Sequence, residues 1–141
     1  MPENNKKENN LVTITICQYY DYSVFSKDEK GNIREYMLSN MKQNWCILPD
    51  DCSNLEKSIS YIKNIASKEC LADVVLATIY SFSISEKAYE DSKIIFANMS
   101  DEQRTMNMFK ALLFEKGAVL IKGSYPILLR DISKRDSFYA S

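Results

Sequence analysis

The stretch Cys70-Leu-Ala-Asp-Val-Val-Leu-Ala-Thr-Ile-Tyr-Ser-Phe82 decides how the rest of this sequence is arranged. Its only polar side chains belong to Asp73, Thr78 and Ser81, so the segment is apolar almost all round. A helix of that composition has to be buried on every side. We therefore expect a central buried helix over residues 70–82, with the other elements packed around it.

Three capping signals mark further helices along the chain. Each consists of a serine with Glu or Gln three residues later, the spacing of a capping box: Ser53 with Glu56, Ser83 with Glu86, and Ser100 with Gln103. Gly117 then stands where a glycine commonly ends a helix. The sequence predicts helices over residues 54–67, 85–98 and 101–116, and a shorter one over residues 38–46.

Strand patterns occur at both ends of the sequence. From Leu11 the side chains alternate between apolar and polar, as in a half-buried strand, and the Gly31-Asn32 pair supplies a turn. This pattern predicts an N-terminal hairpin from residues 11–25 and 33–38. Two apolar runs around Gly123-Ser124-Tyr125-Pro126 predict a C-terminal hairpin from residues 118–122 and 127–132.

The order of these elements predicts the α+β class. We expect a helical bundle of four to five helices with one terminal antiparallel sheet built from the two hairpins. With 141 residues, the chain has the length of one domain, which we place at residues 11–132. Residues 1–10 are expected to form a disordered leader and residues 133–141 a flexible tail.

The residue inventory excludes most familiar chemistry. The sequence has no histidine, so it lacks an imidazole base or metal ligand, and its three glycines do not form a phosphate-binding loop. The one local ligand cluster, Cys46 and Cys52 with two aspartates between them, lacks the spacing of a zinc site. We expect a protein that is not an enzyme, with no catalytic residue, no cofactor and no metal.

The first residues are polar and carry mixed charge, without the apolar region of a signal peptide, and the longest uncharged stretch is too short to cross a bilayer. We therefore expect a cytoplasmic protein with reduced thiols and no membrane partner.

Aromatic residues on the first strand suggest binding to another protein. Tyrosine provides a large, rigid and amphipathic contact area, which suits an interface, although the same side chains also suit a covered sheet face. We expect Tyr19, Phe25 and Trp45 to be anchors for the partner, and we expect this strand to offer an edge for strand addition. Asp21, Asp28 and Glu29 would then steer a partner with a basic surface. The expected function is that of an inhibitor, immunity factor, adaptor or small subunit of an assembly.

Nucleic-acid binding is the alternative. The expected helices 70–82, 85–98 and 101–116, followed by the hairpin 118–132, resemble in their order the three helices and wing of a winged-helix module. The candidate phosphate-binding residues are Lys122, Arg130, Lys134 and Arg135. A formal net charge of -1 gives the whole chain no field that attracts a polyanion.

Overall fold

The computed structural model describes residues 10–38, 42–115 and 117–131. Within these residues it has five strands: β1 (Leu11–Lys27), β2 (Ile33–Met37), β3 (Asn44–Ile47), β4 (Val74–Ser85) and β5 (Val119–Leu128). It also has three helices: α1 (Leu55–Glu69), α2 (Glu86–Ile95) and α3 (Asp101–Leu113). The strands form one antiparallel sheet in the order β2-β1-β4-β5, and β3 pairs with β1 beside this path.

The central apolar segment is a strand and not a helix. The prediction of a helix over residues 70–82 is therefore wrong, and so is the predicted bundle of four to five helices, whereas the α+β class is confirmed. Strand residues make up 41% of the described chain and helical residues 32%, so the sheet is the larger component.

The composition of β4 explains this outcome. It carries two valines, two isoleucines, a threonine and two aromatic residues, all of which favour a pleated backbone. Side chains of both parities are buried, with Val75, Ala77 and Ile79 on one face and Phe82 and Ile84 on the other. A strand buried on both faces is apolar without alternation, so its sequence has the same composition as a buried helix.

Three other predictions concern residues that belong to the sheet. The predicted hairpin 11–25 with 33–38 is confirmed, because β1 and β2 pair antiparallel with Phe25 opposite Glu35. The helix predicted over residues 38–46 is wrong, since residues 44–47 form β3; residues 39–41 lie outside the described part. The hairpin 118–122 with 127–132 is also wrong, because residues 119–128 form the single strand β5.

The predicted leader and tail lie almost wholly outside the described residues. The three remaining predicted helices are present as α1, α2 and α3, although two of their caps differ from the prediction. Asn54 and Ser85 accept from the N–H groups of Lys57 and Ala88, one and two residues after the serines we expected to cap. Ser100 caps α3 as predicted, accepting from Gln103 N–H.

The chain divides into two compact units, and β1, β4 and β5 each contribute a segment to both. The first unit combines the chain up to Gln18 with Trp45–Pro49 and Thr78–Gly123. Its core is built on Ile14, Ile16, Phe82, Ile84 and Leu112, and partly buried aromatic and apolar side chains pack around it: Val12, Trp45, Ile47, Tyr80, Tyr89 and Phe109. Helix α3 and strand β3 thus cover one face of the sheet in this unit.

The second unit combines Tyr19–Asn44 and Asp50–Ala77 with the chain from Ser124. Helix α1 buries Ser58, Ile62 and Ala66, which are four residues apart and lie on one side of the helix. Asp73 N–H donates to the Ser23 carbonyl, and its own carbonyl accepts from Leu129 N–H, so β1 and β5 flank the start of β4.

Replacing Phe82 by alanine tests the assignment of β4. Because this ring is buried in the core of the first unit, Phe82→Ala should lower the free energy of unfolding by about 3–5 kcal/mol in a urea titration. The neighbouring Ser83→Ala change lies on the other face of the strand and should cost less than about 0.5 kcal/mol. Equal losses at the two positions would contradict a strand here.

Candidate functional site

The hairpin of β1 and β2 has a defined hydrogen-bond pattern. Leu38 N–H donates to the Tyr22 carbonyl, and Asp28 N–H donates to the Asn32 carbonyl. In an antiparallel pair the groups of alternate residues point the same way. Arg34 and Tyr36 therefore bond inward to β1, whereas the backbone groups of Ile33, Glu35 and Met37 point away from the sheet.

Asp28 organises the turn of this hairpin. Its Oδ1 accepts from the N–H groups of Lys30 and Asn32, each at 2.9 Å, and Arg34 Nε donates to Oδ2 at 3.1 Å. Gly31 at the tip has a φ of 83°, which glycine adopts readily. The hydrogen bond from Asn32, with those from Arg34 and Lys30, lowers the pKa of the Asp28 carboxyl. This carboxylate therefore builds the turn, while Glu29 beside it is exposed.

Strand β2 is an outer strand of the sheet, and all five of its side chains are exposed. Three of them are large and apolar: Ile33, Tyr36 and Met37. Isolated apolar residues on a surface are ordinary, but three in five residues on a strand with outward-pointing backbone groups form a surface suited to strand addition. We call this surface the β2 edge.

The structure separates the residues that the sequence suggested as anchors. Tyr19 is 2% exposed, and its hydroxyl donates to Glu69 Oε2 at 2.7 Å, so it is a core residue and not a surface anchor. Phe25 is half-buried on β1, opposite Glu35 of β2. Trp45 belongs to the first unit, where its ring centroid lies 5.0 Å from that of Phe109.

The three candidate acids also differ in role. Asp21 is half-buried, Asp28 is held in the turn, and Glu29 faces solvent. Only Phe25, Asp28 and Glu29 therefore lie on the hairpin segment beside β2. Strand β1 itself pairs on both sides, so the outer strands among the described residues are β2, β3 and β5 and not the tyrosine-rich strand.

Sequence reasoning missed the exposed residues of β2 as site residues. Their signal was present, because Ile33, Tyr36 and Met37 place apolar side chains on both faces of a short strand. A strand with one covered face would alternate.

A second group of polar residues lies around the α1–β4 connection in the second unit. Burial and the neighbouring Asp21 carboxylate raise the pKa of the Cys70 thiol to about 12. Asp73 is fully buried, and its Oδ2 accepts from Phe25 N–H at 2.7 Å. Arg130 donates to the carbonyls of Ala72 and Cys70. The thiol is thus held in its protonated form, and the charged groups hold the backbone, so the arrangement suits structure better than nucleophilic chemistry.

In the first unit, the thiols of Cys17 and Cys46 lie within hydrogen-bond distance of each other. Cys17 is fully buried on β1, and its hydrogen bond with Cys46 on β3, together with burial, raises its pKa. All four cysteines are free thiols.

The two candidate nucleic-acid residues within the described chain, Lys122 and Arg130, belong to different units. Lys122 lies over the Tyr80 ring at 5.7 Å in the first unit, and Arg130 is engaged with backbone carbonyls in the second. Lys134 and Arg135 lie outside the described residues. The helix order of a winged-helix module is absent, because residues 74–85 form a strand.

A groove of about 300 Å³ separates α2 from the end of α3. Its apolar lining comes from Ile95, Phe96 and Leu112, and its rim carries the ion pair of Lys87 Nζ and Asp91 Oδ2 at 3.0 Å. Because that pair is exposed and at helical spacing, it indicates a solvated helix surface and not a catalytic pair.

Searches against protein-family models, curated proteins and solved structures found no match to this chain. In the described ranges, no group of three or more Cys, Asp or Glu side chains is arranged to hold a metal ion. None of the helices in that part of the chain is both long and apolar enough to cross a membrane. The case for a function therefore depends on the geometry of the exposed surfaces.

The Asp28 carboxylate should give the hairpin a pH-dependent stability. Because the fold lowers its pKa, the stabilisation is present above the ordinary carboxyl value of 3.8 and disappears as the pH falls through the lowered value. Urea midpoints of the wild type and of Asp28→Asn, measured between neutral and strongly acidic pH, should differ at neutral pH and converge in acid. A difference that stays constant over that range would contradict the role of the charge.

The thiols should differ in reactivity towards iodoacetamide at mildly alkaline pH. Alkylation requires the thiolate, and Cys17 and Cys70 are buried with raised pKa values. Cys52 is partly exposed, and its Sγ lies 3.9 Å from the Lys57 carbonyl. Peptide mass spectrometry of the native protein should find Cys52 modified first, whereas all four thiols react in denaturant. Equal modification of Cys52 and Cys70 in the native protein would refute this environment.

Proposed function

We propose that this protein is not an enzyme and acts by binding another protein, in the manner of an inhibitor, adaptor or small subunit of an assembly. One observation carries the proposal. The β2 edge has outward-pointing backbone groups on Ile33, Glu35 and Met37, and it exposes three large apolar side chains.

Such an edge fits the recognition mode in which an extended segment of the partner adds a strand to a sheet. Backbone hydrogen bonds to the three outward residues would supply affinity. Tyr36 and Met37 lie on opposite faces of the strand and would contact alternate side chains of the added segment. The fixed turn at Asp28 supports this role, because a pre-ordered hairpin loses little entropy on binding.

Charge adds no preference for a basic partner. From Lys27 to Glu35 the hairpin carries Lys27, Lys30 and Arg34 against Asp28, Glu29 and Glu35, so its charges balance. The partner is therefore defined by an extended backbone and apolar side chains and not by its charge.

The test uses the tagged full-length chain expressed in its native cell, with nuclease treatment during purification. The double variant Tyr36→Ser with Met37→Ser should lose a protein that the wild type retains, because two anchors worth above about 2 kcal/mol together are removed. The matched control is Ile94→Ser with Ile95→Ser on α2, which removes two exposed apolar side chains from another element. The control should retain the same protein.

Two results would overturn the proposal. One is the absence of any protein that the wild type and the α2 control retain and the β2 variant loses. The other is retained material that disappears on nuclease treatment, which would assign the retention to nucleic acid.

A further inference from the structure

The opposite edge of the sheet is formed by β5, and its first half carries an unusual exposed surface. Val119 and Ile121 are 59% and 71% exposed, and Leu120 between them is also exposed. Within the described residues β5 pairs with β4 alone. An exposed apolar outer strand is a template for pairing with another chain, which natural proteins normally avoid unless the edge is covered.

The register of β5 on β4 follows from two contacts. Leu129 N–H donates to the Asp73 carbonyl, which pairs these two residues. Counting back along both strands places Lys122 opposite Tyr80, and the Lys122 ammonium does lie over the Tyr80 ring. The two contacts agree on one register of β5 against β4.

This register assigns each backbone group of β5 a direction. Residues with the parity of Leu129, including Val119 and Ile121, bond inward to β4. Leu120 and Lys122 therefore direct their N–H and C=O groups outward. On one side of these two residues, Ala118 N–H already donates to the Glu115 carbonyl, and further along the strand Pro126 has no N–H.

Val119 and Ile121 are apolar, whereas the neighbouring side chains of β1 and β4 on the same face of the sheet are polar. Ile121 is opposite Ser81, and Ser81 in turn lies beside Thr15 of β1, with the two hydroxyl oxygens 3.3 Å apart. In the first unit, β1 and β4 thus present Thr13, Thr15, Ser81 and Ser83 on this face, as expected for a solvated surface. Val119 and Ile121 of the outer strand are apolar here, where an added strand would cover them.

We infer that this edge pairs with the same edge of a second copy, antiparallel about a two-fold axis at Ile121. In that register Leu120 and the second copy's Lys122 exchange backbone hydrogen bonds, and the same pair recurs on the other side of the axis. The two Ile121 side chains then form a closely spaced pair without backbone hydrogen bonds, in which side-chain contact is greatest.

Charge selects this register over its neighbour. An axis at Lys122 would place two lysines directly opposite each other, which destabilises a strand pair. The axis at Ile121 sets each lysine against a leucine instead. Lys122 is the single charged residue of β5, so a strand of the same sequence meets no other unpaired charge.

The test measures the mass in solution by analytical ultracentrifugation of the full chain. The wild type should sediment at twice 16.3 kDa. Ile121→Glu and Ile121→Lys should each weaken the dimer by at least about tenfold, because the axis then joins like charges. An equimolar mixture of the two variants should restore the dimer, since opposite charges meet at the axis. Ile94→Glu is the matched control in the same unit and should leave the wild-type mass unchanged.

Several outcomes overturn the inference. A wild type that stays monomeric up to its solubility limit excludes the dimer. A dimer that Ile121→Glu leaves intact uses another surface. Loss in both variants without recovery in the mixture excludes the axis at Ile121. Circular dichroism of each variant must match the wild type, and recovery in the mixture itself shows that both variants fold. The β2 edge is not altered in these variants, so failure here leaves the proposed partner binding to be judged separately.

Discussion

Burial of one face of β4 over residues 75–79, and of the other face over residues 82–84, is the constraint on which the other elements depend. Val75, Ala77 and Ile79 on one face, and Phe82 and Ile84 on the other, remove large apolar areas from water. A strand of this kind needs a neighbour on each side to satisfy its backbone, and β1 and β5 supply them. Covering both faces then requires side chains from several other elements, including α3 and β3 in the first unit.

Because β4 and β1 each have a strand on both sides, the outward-facing backbone groups belong to the outer strands. Within the described residues, β2 and β5 each direct one row of backbone groups away from the neighbouring strand, and each exposes apolar side chains on both faces over a short stretch. They differ in how the open row is limited. The row of β2 follows the Asp28 turn, whereas the row of β5 ends at a proline.

The sequence predicted correctly those elements that bury a single face, because their apolar residues recur at a regular spacing. Alternation in β1 and spaced apolar residues after Asn54 are of that kind, and both elements were found where expected. β4 was mistaken for a helix because side chains on both faces of its first half are buried, so its apolar residues show no regular spacing there. The prediction then depended on composition alone, which does not distinguish a buried strand from a buried helix. β5 was mistaken for a hairpin because Gly123 and Pro126 favour turns, yet both residue types are also tolerated in an outer strand.

The candidate site was predictable only in part, for a similar reason. The sequence placed Phe25, Asp28 and Glu29 on a hairpin, where they are found. It did not reveal that Tyr19 is buried, because the hydroxyl partner that permits its burial, Glu69, is 50 residues away. The contact of Arg130 with the carbonyls of Cys70 and Ala72 spans still more of the chain. A nascent polypeptide cannot pair both sides of β4 until β5 has been synthesised, so the apolar residues of β4 are prone to aggregation while the residues between these two strands are being added.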